Sequence, residues 1–218
     1  MCLPVANVAP KPAGLGMEEA ASICLVFQTA WNMLARRAEL RAGETVLVHA
    51  GLSGVGSAAV QIANALGAQV LATAGGAEKC ARVAALGAHH VIDYRATDFV
   101  SEVRRITGKA GVHVVFEHVG EATFGGSLKC LQRGGRVATC GATTGGDVGV
   151  SLHQVFFKSL SILGSTMGSK GDLRRVLRMF EQGRLRPVLD RAMPMSEVAD
   201  AHRLLEERRA MGKVVLTV

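Results

Sequence analysis

The sequence predicts a doubly wound α/β fold, in which helices cover both faces of a parallel sheet of about six strands. From Gly43 onward, short runs rich in β-branched residues alternate with patterns of helical period. These runs are apolar throughout, which is typical of strands buried on both faces, and helical crossovers between them require parallel pairing. With 218 residues, 49% of them hydrophobic, the chain is long enough to build one such domain around a real core.

The elements can be placed in chain order. A helix is predicted over 17–37, because Glu18 and Glu19 lie in its first turn and Arg36 and Arg37 in its last, where the helix dipole favours them. Its middle is apolar on nearly every side, so we expect it to be buried. Strands are predicted over 45–50, 69–73, 89–92, 112–117, 136–140 and 161–164. The helices between them are predicted over 53–66, 77–86, 97–107 and 122–132.

The last part of the chain does not continue this alternation cleanly. It predicts a helix over 172–182, a short strand over 185–189, a helix over 196–209 and a final strand over 213–218. We therefore expect residues after about 183 to form a separate segment.

The composition narrows the classes of partner. The net charge of +7 would suit an anionic partner, but the positive charges are scattered and aromatic residues make up only 4% of the chain, which disfavours nucleic acid. The five cysteines are odd in number and form no Cys-x-x-Cys pair, which favours a reducing compartment. We predict a cytoplasmic protein with no membrane partner.

A glycine-rich turn follows the first predicted strand. The stretch "GLSGVG" places Gly51, Ser53 and Gly56 at the three glycine positions of G-x-G-x-x-G, with the middle glycine replaced and Gly54 added. Such a turn lets backbone approach a pyrophosphate, while the helix that follows offers free N–H groups and a partial positive charge. Between a strand and an amphipathic helix, it predicts a dinucleotide-binding domain of the Rossmann type.

The end of the second strand bears on the choice of cofactor. An NAD site carries Asp or Glu about 20 residues beyond the glycines, to hold the adenosine ribose. This chain has Thr73-Ala74-Gly75-Gly76 there, and Lys79 and Arg82 follow. The pattern favours NADP, with Lys79 pairing the 2′-phosphate. The alternative is that both cations are ordinary residues on the polar face of a helix.

Together with this turn, several stretches resemble the medium-chain dehydrogenase/reductase superfamily, above all its quinone oxidoreductase branch and the zinc-type alcohol dehydrogenases. They are "TAWNML", "GETVLVHA", "LGAHHVIDYR", "RGGRVATCGATTG" and "GKVVL". The resemblance implies a two-domain subunit whose N-terminal GroES-like catalytic domain is mostly absent here. It divides the chain into a remnant and connecting helix (1–40), the Rossmann domain (41–183) and a C-terminal return segment (184–218).

The resemblance also implies a set of cofactor-binding residues, which fall into three groups. Those for the pyrophosphate are Ser53, Gly54, Val55 and Gly56, those for the adenosine 2′-phosphate are Gly75, Lys79 and Tyr94, and those for the nicotinamide half are Thr29, Cys140, Gly141, Ala142 and Leu163. Tyr94 is equally compatible with a half-buried residue at a strand end. His118 follows a strand end and is expected to line the cleft or to have no role in the chemistry, so no catalytic residue is named.

A zinc site is not expected. If Thr29 corresponds to the family's threonine, the last zinc ligand should be a cysteine near Leu25, and Cys24 is one residue, or about 100° of helix, away. We expect Cys24 to be a buried structural cysteine. The histidines show no metal-ligand spacing.

The sequence therefore predicts a zinc-independent, NADPH-dependent oxidoreductase that transfers hydride to a small quinone, enone or carbonyl. The alternative is a dinucleotide-binding module without catalysis, or a truncated paralogue. A homodimer through the strand at 161–164 is a further expectation.

Overall fold

The computed structural model describes residues 2–218 and contains the predicted parallel sheet. Its strands are β1 (Thr45–Val48), β2 (Gln69–Ala74), β3 (His90–Asp93), β4 (Val112–Glu117), β5 (Leu131–Thr139) and β6 (Ser161–Gly164). They lie in the order β3-β2-β1-β4-β5-β6, and neighbouring strands are parallel. This order reverses between β1 and β4, which places a crevice at the carboxyl ends of these two strands. The predicted fold class is confirmed.

Helices cover both faces of this sheet. They are α2 (Gly54–Ala65), α3 (Ala77–Ala85), α4 (Phe99–Ile106), α5 (Glu121–Cys130), α6 (Leu152–Lys158) and α7 (Lys170–Glu181). Successive side chains of β1 go to opposite faces: Val46 and Val48 join the core beneath α2, whereas Leu47 joins the core beneath α5. Two apolar cores, one on each face, explain why the strands lack an alternating pattern.

The long N-terminal helix is one helical segment with two hydrogen-bonding patterns. It begins as α1 (Met17–Trp31) and ends in a π-helical turn, Asn32–Arg37. It packs on α2 and α7 through one face, where Ile23 and Phe27 join the core, whereas Leu25 is 53% exposed. The expectation that its middle is buried therefore holds for this face, whereas the face that carries Leu25 is exposed.

The C-terminal residues form a second, two-stranded parallel sheet. Its strands, β7 (Leu189–Pro194) and β8 (Lys213–Thr217), are connected through α8 (Val198–Glu206). The strand predicted over 185–189 is misplaced, because Pro187 has no N–H to give to a ladder and the Arg186 N–H donates instead to Gln61 Oε1 at 2.9 Å.

The helix α6 is absent from the sequence-based prediction. Ser151 caps it, since its Oγ accepts from the Gln154 N–H at 3.3 Å. Seven residues are too few to show a helical period clearly. Its outer face is apolar, with Phe156 and Phe157 both more than half exposed. Across residues 2–218, no helix combines the length and apolar character needed to cross a membrane.

Candidate functional site

The glycine-rich turn lies in the crevice, between β1 and α2. Ser53 caps α2: the Gly56 N–H donates to its Oγ at 3.0 Å, and the Ser57 N–H donates to its carbonyl oxygen at 2.8 Å. The N–H groups of Gly54 and Val55 come before the first acceptor inside the helix, as at any helix N-terminus. These half-buried residues thus present two amides and the positive end of a helix dipole to the crevice.

Close packing explains two of the glycines. A Cβ on Gly56 would lie 2.2 Å from the Ala50 carbonyl oxygen, and one on Gly51 would lie 3.0 Å from both Ala72 and Val83. Ala50 itself has a positive φ of 45°, an uncommon conformation for a residue with a side chain. The turn is therefore held tightly in one shape.

Lys213 lies against this turn, and the sequence-based prediction missed it. It is the first residue of β8, and a Cβ on Gly54 would lie only 2.7 Å from its Cδ. The lysine stem therefore crosses the start of α2, and glycine at position 54 leaves room for it. The signal in the sequence is the lysine of "GKVVL", but nothing there indicates which loop it meets.

The predicted adenosine residues come together at the ends of β2 and β3. A Cβ on Gly75 would lie 2.6 Å from the Tyr94 hydroxyl and 3.0 Å from Arg95 Nε, so both side chains cover this glycine. Tyr94 is 44% exposed. Asp93 Oδ1 accepts from the N–H groups of Gly76 and Arg95, each at 3.0 Å, and these hydrogen bonds hold the pKa of Asp93 below its usual range.

Three cations surround this recess, and two of them were not predicted. Lys79 Nζ donates to the Arg208 carbonyl oxygen at 2.5 Å. Burial lowers the pKa of Lys79, and the positive charges of Arg95 and Arg208 lower it further. Arg82, in contrast, points to Glu78 at 3.4 Å. The recess therefore combines Lys79 with Arg95 and Arg208, which lie far apart in sequence.

The residues predicted for the nicotinamide half lie at the other end of the crevice. Cys140 and Leu163 are partly buried against the core that contains α1, whereas Gly141 and Ala142 are exposed. Thr29 is buried, and its hydroxyl donates to the Leu25 carbonyl oxygen at 2.8 Å.

The Cys140 thiol is not activated in this position. Burial and, to a smaller extent, the charge of Glu117 together raise its pKa to about 11. A thiol with such a pKa is protonated at neutral pH, which gives no support for a nucleophile here.

A buried polar network lies beneath this crevice, and sequence reasoning did not find it. His49 Nε2 is 2.9 Å from Ser127 Oγ, and the Ser127 hydroxyl donates to Glu117 Oε2 at 2.7 Å. His118 Nε2 donates to the His49 carbonyl oxygen at 2.9 Å. Burial lowers the pKa of His49 to about 4 and also lowers that of His118, so both rings are neutral at pH 7. The only signal in the sequence is a polar residue at the end of an otherwise apolar strand.

The donor set does not fit a zinc centre. Cys24 is exposed, so its prediction as a buried cysteine is wrong: its Sγ is 3.8 Å from the Ala20 carbonyl oxygen. Within the described part of the chain, no three His, Cys, Asp or Glu side chains converge into a group that could hold a metal ion.

A doubly wound parallel sheet with a glycine-rich turn at its switch point defines a dinucleotide-binding domain of the Rossmann type. The family described as zinc-binding dehydrogenase matches residues 54–182, and the chain belongs to this family. The predicted resemblance to the medium-chain dehydrogenase/reductase superfamily is thereby confirmed.

Individual relatives agree with this assignment. Quinone oxidoreductase of Homo sapiens is 32% identical over 212 residues, which are 94% of this chain and 64% of that protein. The solved structure of an NAD-dependent alcohol dehydrogenase is 49% identical, with a TM-score of 0.95 over 99% of this chain and 63% of that one. The 2-octenoyl-CoA carboxylase reductase CinF, in complex with NADP and 2-octenoyl-CoA, is 32% identical, with a TM-score of 0.87 over 97% of this chain and 52% of that one. The chain is thus similar to oxidoreductases that use a nicotinamide dinucleotide, and it spans less than two thirds of their length.

Proposed function

We propose that the protein is an NADPH-dependent oxidoreductase that transfers a hydride to a small conjugated carbonyl compound, such as a quinone or an enone. The observation that carries the NADP preference is the recess at Gly75, where three cations gather and the carboxylate of Asp93 is already bonded to the N–H groups of Gly76 and Arg95. Lys79, Arg95 and Arg208 supply positive charge for a 2′-phosphate. No carboxylate at the end of β2 would repel it.

The residues of the turn fit the diphosphate of such a cofactor. The amides of Gly54 and Val55 would donate to its oxygens, and the Lys213 ammonium would lie beside them. When bound, the cofactor supplies the hydride, and the protein supplies position and electrostatics. We assign no acid or base to this chain, because His49 and His118 are buried in the network and the Cys140 thiol is protonated.

We propose that the reaction needs no zinc, since Cys24 stands one residue, or about 100° of helix, from the position at which the family's cysteine ligand is expected. The names of the relatives support the substrate class. One is a quinone oxidoreductase, and another holds 2-octenoyl-CoA, whose carbon–carbon double bond is conjugated to a thioester. In both classes a hydride can add to a carbon made electrophilic by a carbonyl oxygen.

Turnover tests this proposal. The protein is mixed with NADPH and 9,10-phenanthrenequinone, and oxidation of NADPH is followed by its absorbance. We expect turnover with NADPH that exceeds turnover with NADH, and we expect K79A to lose this preference, whereas R82A keeps it because Arg82 pairs with Glu78. Tight NADPH binding without turnover would favour the alternative, a binding module without catalysis.

One of the similar structures is an NAD-dependent alcohol dehydrogenase, so the affinities for NADH and NADPH have to be compared directly. If NADH binds as tightly as NADPH, the role of Lys79 is refuted, while the oxidoreductase assignment still depends on the turnover result.

We also propose a homodimer through β6, the last strand of the sheet, where Ile162 is 43% exposed. Light scattering of the wild type and of I162K distinguishes a dimer from a monomer. The cytoplasmic location and the division at residues 40 and 183 stay predictions.

A further inference from the structure

The buried network beneath the crevice is centred on the carboxylate of Glu117. Glu117, the last residue of β4, has no exposed surface, yet its carboxylate accepts hydrogen bonds from four groups. They are the N–H of Val119 at 2.7 Å, the N–H of Gly120 at 3.3 Å, the hydroxyl of Thr123 at 2.9 and 3.0 Å, and the hydroxyl of Ser127 at 2.7 Å. A buried carboxylate with so many donors fixes the chain around it.

The hydrogen bonds run in one direction, from the glycine-rich turn to this carboxylate. The Ala50 N–H donates to Thr73 Oγ1 at 3.0 Å, and the Thr73 hydroxyl is 3.4 Å from His49 Nδ1. His49 Nε2 is 2.9 Å from Ser127 Oγ, whose proton goes to Glu117. These partners assign the neutral His49 ring a proton on Nε2 and an acceptor at Nδ1.

The network carries one negative charge. His49 is neutral at pH 7 because burial lowers its pKa to about 4. Burial acts to raise the pKa of Glu117, but nearby His49 and the hydrogen bonds from Ser127, Val119 and Thr123 outweigh it and hold the pKa below its ordinary value. The carboxylate is therefore ionised, and its hydrogen bonds are of the strong, charge-assisted kind.

The segment that Glu117 holds is bonded in turn to the loop after β5. The Val119 carbonyl oxygen accepts from both the N–H and the hydroxyl of Thr144, each at 2.8 Å. The His118 carbonyl oxygen accepts from the Thr143 hydroxyl at 3.1 Å. A Cβ on Gly120 would lie 2.4 Å from the Gly145 carbonyl oxygen, so the two loops are in close contact. The second loop begins with Cys140, Gly141 and Ala142, the residues expected at the nicotinamide half.

We propose that Glu117 is a positioning residue for the nicotinamide half of the cofactor, which acts by fixing residues 118–121 and, through them, residues 140–145. This proposal rests on the proposed function, because it requires a dinucleotide in the crevice. It assigns no contact between Glu117 and the cofactor. The adenosine recess is built from the ends of β2 and β3, outside the two fixed loops. The network reaches β2 at Thr73, where His49 Nδ1 is 3.4 Å from the hydroxyl, so we expect the recess to depend on Glu117 much less than the two loops do.

Two ligands allow binding at the nicotinamide half and binding at the adenosine half to be measured separately. NADPH occupies the whole crevice, whereas 2′,5′-ADP carries only the adenosine part with its 2′-phosphate. We expect E117Q to weaken binding of NADPH by about tenfold, since the charged hydrogen bonds that hold the first loop, and through it the second, are lost, and to change binding of 2′,5′-ADP by less than twofold. Calorimetric titration measures both constants, and titration with NADH and AMP keeps the comparison valid whichever dinucleotide binds more tightly.

Further variants guard against a change that is only structural. S127A removes one donor to the carboxylate but keeps its charge, and we expect the same pattern with a smaller loss. E181Q is the matched control, because Glu181 is exposed at the end of α7. Hydrogen exchange should become faster in residues 118–122 and 142–146 of E117Q and stay unchanged in residues 54–60.

The outcomes are distinct. If E117Q and S127A weaken both ligands equally, or weaken neither, the positioning role is refuted while the proposed function stands. If E117Q does not fold, the pattern in S127A decides. If the wild-type protein binds neither dinucleotide, the proposed function fails, and the role of Glu117 fails with it.

Discussion

Substitution of Gly56 by alanine tests the shape of the glycine-rich turn. The new Cβ would lie 2.2 Å from the Ala50 carbonyl oxygen and 2.8 Å from Ser53 Oγ. The first of these distances is more than about 1 Å inside ordinary contact, so either the start of α2 or the turn has to move. Overpacking of this kind costs about 1–3 kcal/mol, whereas alanine in place of glycine inside a helix contributes up to about 1 kcal/mol of stability.

Gly125 provides the matched control, because it lies in α5 and a Cβ added there would have no neighbouring atom within 4 Å. G125A should therefore gain stability from helix propensity alone, by up to about 1 kcal/mol. We expect G56A to be about 1–3 kcal/mol less stable than G125A, which for a chain of this size separates their Tm values by several degrees, at about 2–4 °C per kcal/mol.

The assay combines thermal unfolding with titration of NADPH. G56A should bind NADPH at least tenfold more weakly, because the amides of α2 are displaced, whereas G125A should bind as the wild type does. If the two variants have the same Tm and the same affinity, the argument that this turn is tightly fixed and holds the diphosphate is wrong.

Three other predictions concern single residues. K213A should weaken the binding of NADPH about tenfold and make that binding less sensitive to salt, whereas K109A, on an exposed loop, should change neither. NADPH is titrated at two salt concentrations, and an unchanged salt dependence in K213A would contradict an electrostatic role for Lys213. Because the pKa of His49 is lowered to about 4 in the folded state, the unfolded state binds more protons between pH 6.5 and 4. The free energy of unfolding should therefore fall by up to about 1.4 kcal/mol per pH unit as the pH is lowered through this window, and Tm should fall with it; a flat profile of Tm against pH would contradict a neutral, buried ring. Iodoacetamide should modify exposed Cys24 well before buried Cys130, whose pKa burial raises to about 12, and mass spectrometry of the peptides would expose the reverse order.

The sheet could be predicted from the sequence because its strands are short, apolar and separated by helical patterns. The bounds of β4 and β6 agree with the prediction at both ends, since each is a short run rich in apolar residues that stops at polar or glycine residues. The misplaced strand near Pro187 and the unpredicted α6 share a different cause. Both depend on local details, a side chain that takes a backbone N–H and a serine cap, which periodicity does not record.

The candidate site divides in a similar way. The turn at Ser53–Gly56 has a local pattern, so its position could be predicted. Lys213 meets Gly54 from the far end of the chain, and Arg208 meets Lys79 in the same way. The network around Glu117 joins the ends of three strands and one helix, and only the folded topology brings them together.

A structure of the protein with NADP bound tests the central claim most directly. We expect the diphosphate oxygens to lie about 3 Å from the N–H groups of Gly54 and Val55, with the 2′-phosphate among Lys79, Arg95 and Arg208. A cofactor bound elsewhere, or a 2′-phosphate directed to solvent while these cations keep their protein partners, would contradict it.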